Sequence, residues 1–391
     1  MADHDNLARE LNVTRPWKML IGGEFREGGA GTFDTIDPTT GKVLTQIPKA
    51  SLGDVNDAVA AAKRAFEETE WRENGNQRAK VLNQFAALLE RNANEFAALD
   101  SLDMGMLNMA AKRFGVRAMV RNLTYYASWV DKIYGQVLPS TMPNVFGYTR
   151  REPYGVVGTI YAWNAPMLFL GSKVGPALAT GNTLVMKPSE LGSLSALRFA
   201  ELATEAGVPP GVINVVTGTG EVGTRLVEHP DVEKISFTGG VETARRIAAL
   251  AAPTLKKLHL ELGGKSPAVV FADCDQDLSA FTAAMGCFAM TGQACIASSR
   301  LYVEESISDA FLEKLAGACG SFKIGDPFEQ DTILGPVISK AAKERIEGFV
   351  SEAVQQGARL VAGGTPPKEA PQGGYFVSPT ILTDVDPASR V

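Results

Sequence analysis

The sequence predicts an α/β protein built on a doubly wound parallel sheet, with a second α/β unit after it and a protruding β-hairpin. Three observations carry this. From residue 154 the short β-branched runs "GVVGTIY", "NTLVMK", "VINVVT" and "EKISFT" alternate with helical stretches at 167–179, 191–206, 221–228 and 241–251. Strands and helices alternating at this length make βαβ units, with helices on both faces of a parallel sheet. "LHLEL" at 258–262 and "PAVVF" at 267–271 then start a second such region that runs to the end. Before 154, "YGQVLPS" and "FGYTRREP" flank a Pro-Asn turn near 143 and read as a hairpin. Its exposed edges suit either a subunit contact or an ordinary surface hairpin.

The remaining elements follow in chain order. Residues 18–47 read as strands and turns, with a Pro-Thr-Thr-Gly turn inside "TFDTIDPTTGKVLTQIP". Alanine-rich 54–68 and the stretch 77–92, where Leu82, Phe85, Leu88 and Leu89 share a face, read as helices. Residues 153–172 form a 20-residue uncharged run, long enough to span a membrane. Its three glycines, two prolines and Asn164 favour a buried strand, a loop and a helix instead. Near the end, "YFVSPTILTDV" reads as strands, and Asp386-Pro387 as the N-cap and first residue of a helix.

Composition narrows the function. The chain has 391 residues, 45% apolar and 21% charged, with a net charge of −6, which suits a soluble globular protein of two or three domains. No Lys/Arg cluster interleaves with aromatics, so no nucleic-acid partner is expected. The N-terminus lacks the apolar core of a secretory signal, and a cytoplasmic protein without a membrane partner is expected. Four cysteines without a C-x-x-C and three histidines without metal spacing argue against zinc, and therefore against zinc-dependent alcohol oxidation.

Several motifs carry chemistry. GTGEVG at 218–223 lies between a predicted strand and helix, the context of a dinucleotide fingerprint, although a tight turn gives the same letters. Gly239 and Gly240 form a second glycine turn between strand and helix, so either loop suits a pyrophosphate at a helix N-terminus. In "VMKPSE", Lys187 and Glu190 project at a strand's carboxyl end, where a carboxylate can bind a ribose 2′-hydroxyl; the plain alternative is a solvated lysine and a helix-start glutamate. Glu261 sits inside apolar "LHLELGG", which reads as a buried carboxylate with a raised pKa, a general base or an ion-paired structural residue. Asn164, in "YAWNAP", is a loop cap or an oxyanion donor. Cys295, in "TGQACIASSR", is a core residue or a nucleophile. Met167, Tyr161 and Ile296 read equally as an apolar substrate lining or as core packing.

Taken in order, Asn164, Lys187 with Glu190, the 239 turn, Glu261 and Cys295 resemble the aldehyde dehydrogenase superfamily, most specifically through "LELGGKSP" and "GQACIASSR". The resemblance covers essentially the whole chain. It implies an NAD-dependent oxidation of a small-molecule aldehyde to a carboxylic acid through a cysteine thiohemiacetal and thioester. Cys295 would be the nucleophile, Glu261 the base that activates the hydrolytic water, and Asn164 the oxyanion donor. Tyr161, Lys187, Glu190, Gly220, Gly239, Gly240, Leu262 and Gly263 would bind the cofactor, with the pyrophosphate on the helix after Phe237. Glu190 favours NAD, while Lys187 would also tolerate NADP. Acyl transfer to coenzyme A would not need Glu261. The family often has proline at the position of Ala162, serine at Gly240 and glycine at Ala244.

The implied organisation is a dinucleotide-binding domain of residues 1–132 and 154–257, an oligomerisation hairpin at 133–153 and a catalytic domain from 258. A homo-oligomer is implied for the full-length protein. The family continues past the position of Val391 with a Glu-Glu-x-Phe-Gly-Pro segment, further catalytic-domain elements and the last strand of the arm. The catalytic domain is therefore read as incomplete, with weak or absent activity expected. The alternative is a catalytically impaired remnant that binds a dinucleotide or a partner subunit.

Overall fold

A computed structural model describes residues 3–391. At its centre lies a seven-stranded sheet. Its order across the sheet is Lys257–Leu262, Val232–Gly239, Val156–Tyr161, Thr183–Pro188, Ile213–Val215, Met19–Ile21 and Glu24–Arg26. The first five are parallel, and the two N-terminal strands add antiparallel at one edge. The earliest of the parallel strands, Val156–Tyr161, lies inside the sheet. The chain winds outward from it through 183–188 and 213–215, then crosses back to add 232–239 and 257–262 on its other side. That is a doubly wound sheet, and the winding reverses between Val156–Tyr161 and Val232–Gly239.

Side chains from successive positions of these strands enter different cores. Val157, Tyr161, Leu184 and Met186 join one cluster, while Val156, Ile160, Val185 and Phe237 join the other. Both faces are covered by helices, so the strands read as continuous apolar runs. Leu194–Glu205 and Gly175–Ala179 cover the first face. Leu52–Glu68, Gly220–Glu228 and Val241–Ala251 cover the second. The helix Leu52–Glu68 starts at a capping box, in which Ser51 Oγ accepts from Asp54 N–H and the Asp54 carboxylate accepts from Ser51 N–H.

The edge strand Lys257–Leu262 corrects one expectation. Its side chains alternate, with Leu258, Leu260 and Leu262 packed inward and Lys257, His259 and Glu261 exposed. Glu261 is 63% exposed, with its Oε1 3.5 Å from His259 Nε2. The strand pairs on one side only and its alternate positions are exposed among the described residues, so this carboxylate is solvated rather than desolvated by an apolar strand.

The C-terminal unit pairs Pro267–Val270 in parallel with Arg300–Val303. It packs Gln276–Phe288 and Ser308–Gly320 around Val270, Ala284, Phe311 and Leu315. Arg359–Ala362 and Ile381–Thr383 pair antiparallel. Asp386 caps a turn by accepting from Ala388 N–H. The hairpin forms with only Val137–Leu138 against Gly147–Tyr148, and Tyr134, Val137, Phe146 and Tyr148 stand in solvent. Among the described residues no helix is long and apolar enough to cross a membrane. The run 153–172 folds as strand, loop and short helix.

Candidate active site

Each catalytic candidate reaches its position by a local rule. The Val156–Tyr161 strand ends at the carboxyl edge of the sheet, and Pro166 starts the next helix at its N1 position, where the fixed φ and missing N–H cost nothing. The turn between them holds Asn164. Cys295 lies beyond the helix Gln276–Phe288, after a turn in which Met290, Thr291 and Gly292 all adopt left-handed φ values of 55°, 56° and 70°. Left-handed backbone at two non-glycine residues is stored strain that the surroundings must hold. Thr291 Oγ1 donates to Gly335 O, and Gln293 Oε1 accepts from Ile338 N–H at 2.9 Å.

The loop and the turn meet directly. Asn164 Nδ2 donates to Gln293 O at 2.8 Å, two residues before Cys295. On the other side, a Cβ built on Gly264 would stand 3.9 Å from Cys295 O, which brings the end of the Glu261 strand against the same loop. Cys295 is exposed, whereas Cys319 is buried and Cys274 and Cys287 are half-buried. Burial pushes the Cys319 thiol up to about 11 and raises that of Cys287 as well, which keeps both protonated. The core reading therefore fails for Cys295 and holds for Cys319. Ile296 is exposed and Met167 is fully buried, so the lining suggested for the two is not shared.

A cleft of about 410 Å³ opens at the winding reversal, where ligands of doubly wound sheets bind. Tyr161, Lys187, Glu190, Gly220, Gly239 and Gly240 all line it. Tyr161 turns its ring into the opposite core, against Phe169, and burial followed by the charge of Asp100 raises its phenol pKa. What Tyr161 gives the cleft is backbone. Lys187 is buried, and its Nζ donates to Glu190 Oε2 at 3.2 Å. Burial lowers the Lys187 pKa, while Glu190 acts in the opposite sense. Gly239 admits no side chain, since a Cβ there would come within 2.5 Å of the Phe237 ring. Gly240 is the N-cap of Val241–Ala251 and has open space where a Cβ would be, which leaves the helix's first N–H groups accessible to an anion. Leu262 and Gly263 lie outside the lining: Leu262 pairs with Gly239 on the neighbouring strand and Gly263 follows it.

Two residues were not singled out from sequence. Gln293 braces the cysteine loop through its side chain and carries the carbonyl that Asn164 holds. Lys173 is buried and donates to Ser236 Oγ at 2.9 Å. Burial pulls its pKa down to about 8, against the charge of Glu261. It is the one charged residue between 153 and 186, a signal as plain as that of Glu261. Among the described residues no group of three or more His, Cys, Asp or Glu side chains is placed to hold a metal.

The chain as a whole is similar to known proteins. The model of the aldehyde dehydrogenase family matches residues 25–391. Aldehyde dehydrogenase family 2 member C4 of Arabidopsis thaliana is 44% identical over 94% of this chain and 74% of its own length. The cytosolic 10-formyltetrahydrofolate dehydrogenase of Mus musculus is 40% identical over 98% of this chain, which spans only 43% of that protein. Among solved structures, the NAD+ complex of an aldehyde dehydrogenase from Bacillus cereus superposes with a TM-score of 0.93 at 38% identity. It covers 97% of this chain and 78% of its own. Betaine aldehyde dehydrogenase from Staphylococcus aureus in complex with NAD+ gives a TM-score of 0.95 at 35% identity, covering 99% and 77%. With the family model matching residues 25–391 and a relative 44% identical over 94% of the chain, the chain belongs to the aldehyde dehydrogenase family.

Proposed function

We propose that this chain oxidises an aldehyde to a carboxylic acid with NAD as hydride acceptor, Cys295 acting as nucleophile. One observation carries the reading: Asn164 is tied to the loop of an exposed cysteine, next to a cleft that suits a dinucleotide. The cleft residues fit that cofactor. Gly239 and Gly240 present backbone donors to a pyrophosphate, and Lys187 with Glu190 offers an ammonium and a carboxylate to a ribose diol. When bound, NAD supplies an acceptor for the hydride that leaves the substrate carbon.

The chain's own residues do the rest. Cys295 Sγ, as thiolate, adds to the aldehyde carbon, and the carbonyl electron pair moves to oxygen. Asn164 Nδ2 carries two N–H groups. One is held by Gln293 O, which leaves the second for the developing alkoxide, beside the Cys295 backbone N–H. Loss of hydride leaves a thioester on Cys295. Glu261 then takes a proton from water, the hydroxide adds to the acyl carbon, and the C–S bond breaks to release acid and thiolate. The exposure of Glu261 gives its carboxylate access to the water it would activate. The exposed hairpin side chains would pair with a second copy of the chain, so that 133–153 acts as an oligomerisation arm between the dinucleotide and catalytic units.

NADH absorbance with a panel of aldehydes tests the reading. Parent protein should form NADH and Cys295→Ala should form none, while both retain NAD binding by calorimetry. Equal rates for parent and variant would remove the cysteine from the mechanism.

A further inference from the structure

A second cavity, open and about 1180 Å³ in volume, is lined by Ala165 and Leu168, just after the Asn164 turn whose preceding residues Ala162 and Trp163 line the dinucleotide cleft. Lys112, Arg113, Arg117 and Arg121 all line it, against a single carboxylate, Glu90. Four cations less one anion leave three positive charges, in a chain whose net charge is −6. All four basic side chains are exposed, and none forms an ion pair or hydrogen bond among the described residues. Arg113, Arg117 and Arg121 recur every four residues, so they share one helix face. Like charges at that spacing repel one another. Among the lining residues only Glu90 carries the opposite charge.

The local backbone is also unusual. Ala111–Val116 forms a π-helical turn, a rare geometry that often marks functional sites. It carries Lys112 and Arg113, and it presses Gly115 so close to the next helix that a Cβ there would meet Met167 Cε at 2.5 Å. The buried Gly115 side of this turn packs against the Pro166–Phe169 helix, which begins two residues after Asn164, and leaves the basic side chains exposed.

The cavity adjoins the Asn164 turn and the residues just before Cys295. It shares Met106 and Met290 with a small void of about 40 Å³ lined by Asn164, Gln293 and Trp163. Val116, Ala118, Ala165 and Leu168 add an apolar, partly small lining to the same cavity. A lining that combines apolar and cationic side chains suits a substrate of matching polarity. Arginine forks bind carboxylates through paired, charge-assisted hydrogen bonds.

We propose that this cavity admits aldehydes whose far end carries a carboxylate, held by Arg117 and Arg121 with Arg113 and Lys112 beside them, while the aldehyde carbon faces Cys295. This rests on the aldehyde-oxidising reading above and names the substrate class for it. The step that the test uses is reversible: Cys295 Sγ bonds to the aldehyde carbon, and the carbonyl oxygen receives the thiol proton.

The test measures protection of Cys295 from iodoacetamide, read on its peptide by mass spectrometry. The two protecting aldehydes are an ω-oxo carboxylate and its uncharged methyl ester. The acid should half-protect at a concentration about tenfold lower than the ester at low salt, and that ratio should shrink as salt screens the charges. In the double variant Arg117→Gln/Arg121→Gln the ratio should collapse towards one, with an unchanged melting temperature showing that the fold is intact. Equal protection by acid and ester in the parent, or a ratio that survives in the variant, overturns the carboxylate class and leaves the aldehyde reading standing. Failure of both aldehydes to protect overturns the two together.

Discussion

At the scale of single residues, Asn164 and Glu261 show how far side-chain chemistry follows from the letters. Asn164 sits in a half-buried turn with its amide on Gln293 O, a donor already aimed and already partly desolvated. Removing one oxyanion donor typically costs about 10²–10³ in turnover. Asn164→Ala should lose about that factor in kcat, and substrate binding should weaken far less. A loss confined to KM would assign Asn164 to binding instead. For Glu261, the reading of a buried carboxylate rested on its apolar neighbours. The run "KLHLEL" in fact alternates strictly, and strict alternation is the mark of a half-exposed strand. The signal was present. It was the sheet edge, which depends on the order of distant strands, that decided which face met solvent.

Elements were more legible than residues. The expected helix 241–251 matches Val241–Ala251, and 221–228 differs from Gly220–Glu228 by one residue. These helices begin at glycine turns and present strong apolar faces, so local sequence determines them. The stretch 167–179 was less transparent, because Leu170–Val174 is wound as a π turn inside it. No propensity rule separates that turn from ordinary helix. Asp386 accepts from Ala388 N–H, the local capping contact that its sequence signature leads one to expect. The Gly239 turn lends itself to a test at this scale. A methyl group there collides with the Phe237 ring, so the strand end must shift away from the cleft. Gly239→Ala should weaken NAD binding measured by calorimetry and lower stability by about 1–3 kcal/mol, the usual cost of overpacking. Unchanged affinity and stability would show that the ring yields freely.

For the whole molecule, the fold class was legible because the βαβ rhythm is written in periodicity, whereas long-range polar pairing was not. His4 lies between Asp37 at 2.8 Å and Asp326 at 3.1 Å, which ties the N-terminal helix to the C-terminal unit. Burial opposes its charge, yet the two carboxylates raise its pKa to about 9. Burial likewise raises Asp100 to about 8 and Asp103 to about 6. Each folded value exceeds its unfolded one, so each group binds its proton more tightly when folded. The stability contributed by the aspartates is complete below about pH 4 and lost as pH rises through about 6 and 8. That of His4 is complete below about 6.5 and lost through about 9. The melting temperature should therefore fall between pH 6 and pH 9. Asp100→Asn, which cannot ionise, should flatten the fall near pH 8. A melting temperature constant or rising over that range would contradict this assignment.

Covalent capture on the cysteine loop tests the central claim most directly. Glu261→Gln should slow release of the thioester, so mixing that variant with aldehyde and NAD should add the acyl mass to the peptide that carries Cys295 and to no other cysteine peptide. An unmodified Cys295 after NADH has formed, or an adduct on Cys274, Cys287 or Cys319, would contradict the account.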